Sequence, residues 1–205
     1  FRAMLAEIQG LGFTAVDIWL GHLNWRWATP EHLTIARRAV DDAGLTVVSI
    51  AGGFGNTRDE VEASCRIAKA LDTTVLGGNS GLLGSDRPTL AALMREHGLR
   101  FGYENHPEKS TAELLAKAGA GDEDVIGLCV DTGWFGTHGY DAVQAFREVY
   151  PRLVHVHLKD VLAPGSHETC RYGRGCVAIE ASVHTLKELG YTGAISIEHE
   201  PEHYS

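Results

Sequence analysis

Residues 125–159 read VIGLCVDTGWFGTHGYDAVQAFREVYPRLVHVHLK, and the fold is decided there. Two short apolar runs, Val125–Asp131 and Leu153–Lys159, flank a helix-like stretch from Asp141 to Tyr150. Both runs are near-continuously apolar rather than alternating, the pattern of strands covered on both faces. Strand, helix and strand in this order form a parallel unit joined by a right-handed crossover.

The same rhythm extends outward in both directions. Further strand candidates are Ala15–Leu20, Leu45–Ile50, Thr74–Gly77, Arg100–Glu104 and Ala194–His199, which brings the number to seven. Between them, the segment Glu31 to Ala43 places Leu33, Ala36, Ala39 and Val40 on one helical face. Thr57 with Glu60 forms a capping box ahead of Val61, Cys65, Ala68 and Leu71, and Ser110 with Glu113 repeats the pattern ahead of Leu114, Leu115 and Ala118. Another helix begins near Asp86 with Pro88 in its first turn, and one more runs from Ile179 to Leu189. Gly44, Gly98 and Gly190 stand where a helix ends and a strand follows. Seven consecutive units with no Gly-rich phosphate fingerprint favour a TIM-type (β/α)8 barrel over a doubly wound sheet. No Pro- or Ser-rich linker interrupts residues 1–205, so a single domain is expected.

Composition narrows the function. The net charge is -9, and no basic stripe marks a nucleic-acid binder. No apolar run is long enough to span a membrane, and the opening residues lack the order of regions of a signal peptide. Cys65, Cys129, Cys170 and Cys176 show no CxxC spacing. Cys65 and Cys129 fall in apolar segments and read as buried thiols, which suits a reducing cytoplasm. Histidine is the outlier, with 11 residues, several of them near carboxylates.

In a barrel the chemistry gathers at the C-terminal ends of the strands. Those ends carry Glu104-Asn105-His106, Asp131-Thr132-Gly133, the run His155-Val156-His157-Leu158-Lys159-Asp160, and Glu198-His199-Glu200. Left buried and unpaired, such groups would cost about 1–3 kcal/mol each. A shared cation removes that cost. Glu104, Asp131 and Glu198 with one imidazole, His155 or His157, make a suitable ligand set for one hard or borderline divalent ion: Mn, Mg, Co or Zn.

These residues also carry a family resemblance. The chain resembles the sugar phosphate isomerase/epimerase superfamily of xylose-isomerase-like barrels, which includes ketose 3-epimerases, inosose dehydratases and hydroxypyruvate isomerases, with endonuclease IV as a distant cousin. The matching stretches are Gly12 to Asp17, ENHPE from Glu104, VDTG from Val130, HVHLKD from His155 and GYTGAISIEHEPE from Gly190. The resemblance implies metal ligands at Glu104, Asp131, His157 and Glu198, choosing His157 over His155. It also implies that Glu104 and Glu198 double as the proton-transfer pair. Two departures stand out. Trp134 occupies the place of a substrate-contacting histidine three residues after the ligand aspartate. The arginine expected soon after the ligand histidine is missing from Val161 to Pro164. The first departure argues against a nuclease. Trp134 could stack on a sugar ring, His138 could stand in for the missing histidine, and Arg171 and Arg174 could reach the substrate. His106, His155 and Lys159 complete the candidate substrate contacts.

The expected reaction is proton transfer beside the carbonyl of a keto-sugar or related polyol, through a metal-stabilised enediolate. If the enolate instead expels a β-substituent, the enzyme is a dehydratase or lyase acting on an oxidised sugar or cyclitol. A noncatalytic sugar- or metal-binding barrel is a third reading, disfavoured by four intact ligand positions. At the ends, Met4, Leu5, Ile8 and Leu11 form an apolar helical stripe before Gly12, and the chain stops soon after Glu198. The expectation is a barrel lacking its first strand and last helix, with a seam between the strand of Asp17 and that of Glu198. A partner subunit, as in a homo-oligomer, would cover such an edge.

Overall fold

The computed structural model describes residues 1–200; Pro201 and Glu202, the end of the GYTGAISIEHEPE stretch, lie outside the described residues. The elements run α1 (Arg2–Gly10), β1 (Ala15–Trp19), α2 (Pro30–Asp42), β2 (Thr46–Gly53), α3 (Arg58–Ala70), β3 (Val75–Asn79), α4 (Leu82–Ser85), α5 (Arg87–His97), β4 (Arg100–Glu104), α6 (Thr111–Ala118), β5 (Ile126–Asp131), α7 (Thr132–Thr137), α8 (Ala142–Val149), β6 (Leu153–Leu158), α9 (Ile179–Glu188) and β7 (Ile195–Ile197), with a short 3-10 turn at Tyr150–Arg152. All seven expected strands form. No helix of the described residues is long and apolar enough to cross a membrane.

The chain comprises two compact units, Phe1–Gly102 with Asp124–Ile126, and Tyr103–Glu123 with Gly127–Ser205. In the first, β1 pairs with β2 and β2 with β3, both in parallel. Gly78 has φ 153°, and a Cβ there would lie 2.1 Å from the Gly52 carbonyl oxygen, so only glycine lets these two strands approach. The core holds Ile50, Phe54, Leu76 and Phe101, all fully buried, and the two phenyl rings meet edge to face at 6.0 Å. Val61, Cys65, Ala68 and Leu71 are also fully buried, as their helical spacing requires. Burial pushes the Cys65 thiol up to about 12.

In the second unit, β5, β6 and β7 pair in parallel, and every residue of β5 and β6 is buried. Leu128 stands opposite Leu153, but Cys129 stands opposite His155, so the register slips by one residue between them. Without the slip Asp131 would face Val156. With it, Asp131 faces His157, and an irregularity of the bulge type re-aims a pair of polar side chains. Strand β7 is shorter than its apolar run suggests. Glu198 lies one residue past its end, and its N–H donates to the Leu158 carbonyl at 3.0 Å.

Local chemistry sets the helix starts. The Thr57 hydroxyl accepts from the Glu60 N–H at 3.4 Å, and Glu60 accepts from the N–H groups of Thr57 and Asn56 at 3.2 and 2.7 Å. These backbone contacts hold the Glu60 carboxyl below its usual range. Helix α2 starts earlier than its apolar pattern shows: Thr29 is the cap, Pro30 opens the first turn, and His32 takes the reciprocal place usually filled by Glu or Gln. Ser110 caps α6, while Glu113 reaches back to the Lys109 N–H instead of the cap's own. Replacing Thr57 by Ala removes one acceptor from the start of α3. Urea unfolding should show a stability loss of about 1 kcal/mol.

Candidate metal centre

Glu104 ends β4, Asp131 ends β5, His157 is the penultimate residue of β6, and Glu198 follows β7. All four belong to the second unit. Each offers one ligand atom, and these atoms lie within 4.8 Å of one another. Glu104 Oε1 is 2.5 Å from His157 Nδ1, and Glu198 Oε2 is 3.3 Å from the same nitrogen. Cys129 Sγ lies 3.7 Å from it, a neighbour that sequence spacing did not single out. The four residues that the sequence groups as ligands are thus together in space.

Lys159 joins this cluster. Its ammonium is 2.6 Å from Glu198 Oε1, 2.8 Å from Glu200 Oε2 and 3.3 Å from Asp131 Oδ2. Burial alone would push the ammonium down. The surrounding carboxylates, Asp131 and Glu198 foremost, outweigh burial and hold it above its ordinary value. Burial raises the Asp131 carboxyl, opposed by Lys159 and reinforced by Glu198 and Glu104. The Glu198 carboxyl is raised for the same first reason.

One atom tests whether a metal fits. Asp131 is completely buried. Its Oδ1 accepts from the Trp134 N–H at 2.9 Å, which caps α7, but its Oδ2 has no hydrogen-bond partner. A buried carboxylate oxygen whose one polar neighbour is the Lys159 ammonium at 3.3 Å, with no hydrogen bond, is incompletely compensated. An ion bound by three carboxylates and one imidazole would satisfy it, and that donor set suits a hard or borderline divalent cation. The residues present fit a metal.

The support around the cluster was largely invisible in the sequence. Asn105 is fully buried; its amide donates to the Asp131 carbonyl at 2.9 Å and accepts from the Asp131 N–H at 2.8 Å. The Thr132 hydroxyl donates to the Lys159 carbonyl at 2.7 Å and accepts from the Lys159 N–H at 2.9 Å. Helix α7, with two glycines in six residues, escaped the apolar-periodicity reading. A Cβ on its Gly133 would lie 2.5 Å from Lys159 Cδ, so the glycine leaves room for the lysine stem.

Other candidates occupy distinct places. His155 Nε2 pairs with Ser196 Oγ at 2.8 Å, with its ring 5.2 Å from that of His157. The Trp134 indole lies 3.8 Å from the His106 ring, 5.0 Å from the His167 ring and 5.8 Å from the Lys159 ammonium, which sets it beside the cluster. His138 caps the C-terminus of α7. Arg171 and Arg174 are exposed on the loop after β6. The buried Asp160 carboxylate organises that loop. It accepts from Gly173 and Gly175 N–H at 2.9 and 3.1 Å through Oδ2, and from Val177 N–H at 3.1 Å through Oδ1. An antiparallel bridge between Val161 and Thr169 closes the segment between them.

Parallel strands joined by helices, with polar groups of the second unit converging from successive strand ends, are the arrangement that β/α frameworks use to build a site. The chain belongs to the xylose isomerase-like TIM-barrel family, whose profile matches residues 5–204. The inosose dehydratase of Clostridium perfringens is 29% identical over 101 residues, which are 44% of this chain and 34% of that protein. The match to this curated relative therefore spans about a third of the relative's length. Among solved structures, a xylose isomerase domain protein from Planctomyces limnophilus has a TM-score of 0.76 at 23% identity, over 95% of this chain and 85% of that one. D-psicose 3-epimerase, solved in the presence of D-fructose, has a TM-score of 0.72 at 17% identity, over 98% and 79%. At these identities the two structures bear on the fold.

Asn105→Ala would strand the buried N–H and carbonyl of Asp131. Its thermal and urea unfolding should show a loss on the order of 1–3 kcal/mol for each group left unpaired.

Proposed function

We propose that the chain is a divalent-metal-dependent isomerase or epimerase of a keto-sugar or related polyol, with Glu104, Asp131, His157 and Glu198 as ligands. The observation that carries this reading is the convergence of two carboxylates from different strand ends on one imidazole nitrogen, at 2.5 and 3.3 Å. Two such groups give one site a base and an acid. When bound, an Mn, Mg, Co or Zn ion would act as a Lewis acid toward charge developing on a carbonyl oxygen.

The chain's own residues do the rest. One of Glu104 and Glu198 removes the proton from the carbon beside the carbonyl. The other returns it, to the opposite face for epimerisation or to the neighbouring carbon for isomerisation. Burial raises the Glu198 carboxyl in the metal-free protein, and a bound cation would oppose that shift and keep the group a carboxylate able to accept the proton. Trp134 offers apolar ring surface beside the cluster, and His106 against it supplies a polar substrate contact.

The match to an inosose dehydratase favours a second reading, elimination on an oxidised cyclitol. The first step is the same. The enediolate electrons then expel the β-hydroxyl, which leaves as water with a proton from an acid such as His106.

The deciding experiment incubates the metal-loaded protein in deuterated water with D-fructose, D-psicose or an inosose. Solvent deuterium should appear at the carbon beside the carbonyl. An epimer or isomer as product supports the first reading, and an enone with loss of water supports the second. Absence of exchange with every keto-sugar and cyclitol tried would overturn both. Glu198→Gln should keep the fold and lose turnover by about 10²–10⁴-fold; a variant near wild-type rate refutes its proton-transfer role.

A further inference from the structure

Lys159 places a permanent positive charge against two of the four proposed ligands. Its Nζ contacts Glu198 Oε1 at 2.6 Å and Asp131 Oδ2 at 3.3 Å, and it also contacts Glu200 Oε2 at 2.8 Å. Glu200 is outside the group of four, and its side chain is 69% exposed. The ammonium therefore rests on two carboxylates that a divalent ion would need, Asp131 through Oδ2 and Glu198 through the oxygen turned away from His157, and on one that it would not.

The placement is built from several sides. The Lys159 side chain is only 5% exposed. Thr132 grips its backbone N–H and carbonyl at once. Gly133 leaves the room its stem fills, and the Trp134 ring lies below its charge. The Glu200 backbone is held in turn, because its N–H donates to Thr169 Oγ1 at 3.1 Å. A surface lysine has none of these restraints.

We propose that Lys159 is an internal counter-ion that competes with the metal: it holds the ligand carboxylates together in the metal-free protein, and it keeps only its contact with Glu200 when a divalent cation takes Glu198 and Asp131. The inference rests on the metal reading above. Three carboxylates gathered within a few ångströms repel one another. An ammonium relieves that repulsion without leaving the chain. A divalent ion bound by the same carboxylates takes Asp131 Oδ2 from the ammonium and draws Glu198 toward Oε2, and the two cations then repel across a short distance. Metal affinity is set by this exchange, so the site binds its ion less tightly than its donor set alone would dictate. Glu200 reduces the cost of the exchange by keeping the displaced ammonium paired.

The test is calorimetric titration of Mn²⁺ into metal-stripped protein. Lys159→Met keeps the stem volume and removes the charge. Its Mn²⁺ dissociation constant should fall by at least about ten-fold, while the unfolding midpoint of the metal-free protein drops and is restored by Mn²⁺. Glu200→Gln, at an exposed side chain, removes the second resting place, so Mn²⁺ should bind several-fold more weakly. Unchanged or weaker binding by Lys159→Met with a wild-type circular dichroism spectrum overturns the proposal. So does unchanged binding by Glu200→Gln, which decides the matter alone if the methionine variant does not fold. If the wild-type protein itself takes up no Mn²⁺, the metal centre fails and this inference with it, a result distinct from metal binding that ignores Lys159 and Glu200.

Discussion

A carboxylate with no access to water must find its compensation inside the protein, and Asp131 is such a group. One oxygen caps a helix, and the other lacks a hydrogen bond. Asn105 fixes its backbone, the register slip at Cys129 turns it toward His157, and Lys159 brings a charge to 3.3 Å. Each neighbouring feature is either a response to that buried oxygen or a means of holding it in place. Strands β5 and β6 can be buried throughout because most of their polar groups are gathered toward one end, where a cation can serve several at once.

The strand–helix rhythm was legible because β5 and β6 are apolar on both faces and because hydroxyl and carboxylate caps announce α3, α5 and α6. Helix α7 was not legible: glycines at 133 and 136 hide its period, and its cap is Asp131, a residue that chemistry singles out for another reason. Its two roles are compatible, since one oxygen serves each. The start of α2 was displaced for a similar reason. His32 fills a capping position where a reader of sequence looks for a carboxylate or amide.

The four residues that cluster were legible as a group because they fall at strand ends and because the surrounding motifs resemble a known family. What escaped was everything that depends on register or on close approach. No spacing rule reveals that Asn105 reaches Asp131 across 26 positions, that Gly133 exists to admit a lysine stem, or that Asp160 turns its carboxylate onto three amides of a later loop. These are contacts between residues distant in the chain, fixed only once the strands have paired.

The Asp160 clamp has a consequence for how such a protein can change. Three N–H groups between Gly173 and Val177 converge on one buried carboxylate, and the bridge from Val161 to Thr169 closes the other side. The base of the loop is therefore fixed independently of what lies at its tip. The tip is tied separately to α7: the Gly165 N–H donates to the Thr137 carbonyl at 2.7 Å, the Thr137 hydroxyl donates to the Ser166 carbonyl at 2.8 Å, and the His167 ring lies 5.0 Å from Trp134. Two anchors of different kind thus serve one segment, a buried carboxylate at its base and helix α7 at its tip, so a change in the loop reaches the Trp134 side of the cluster before it reaches β6.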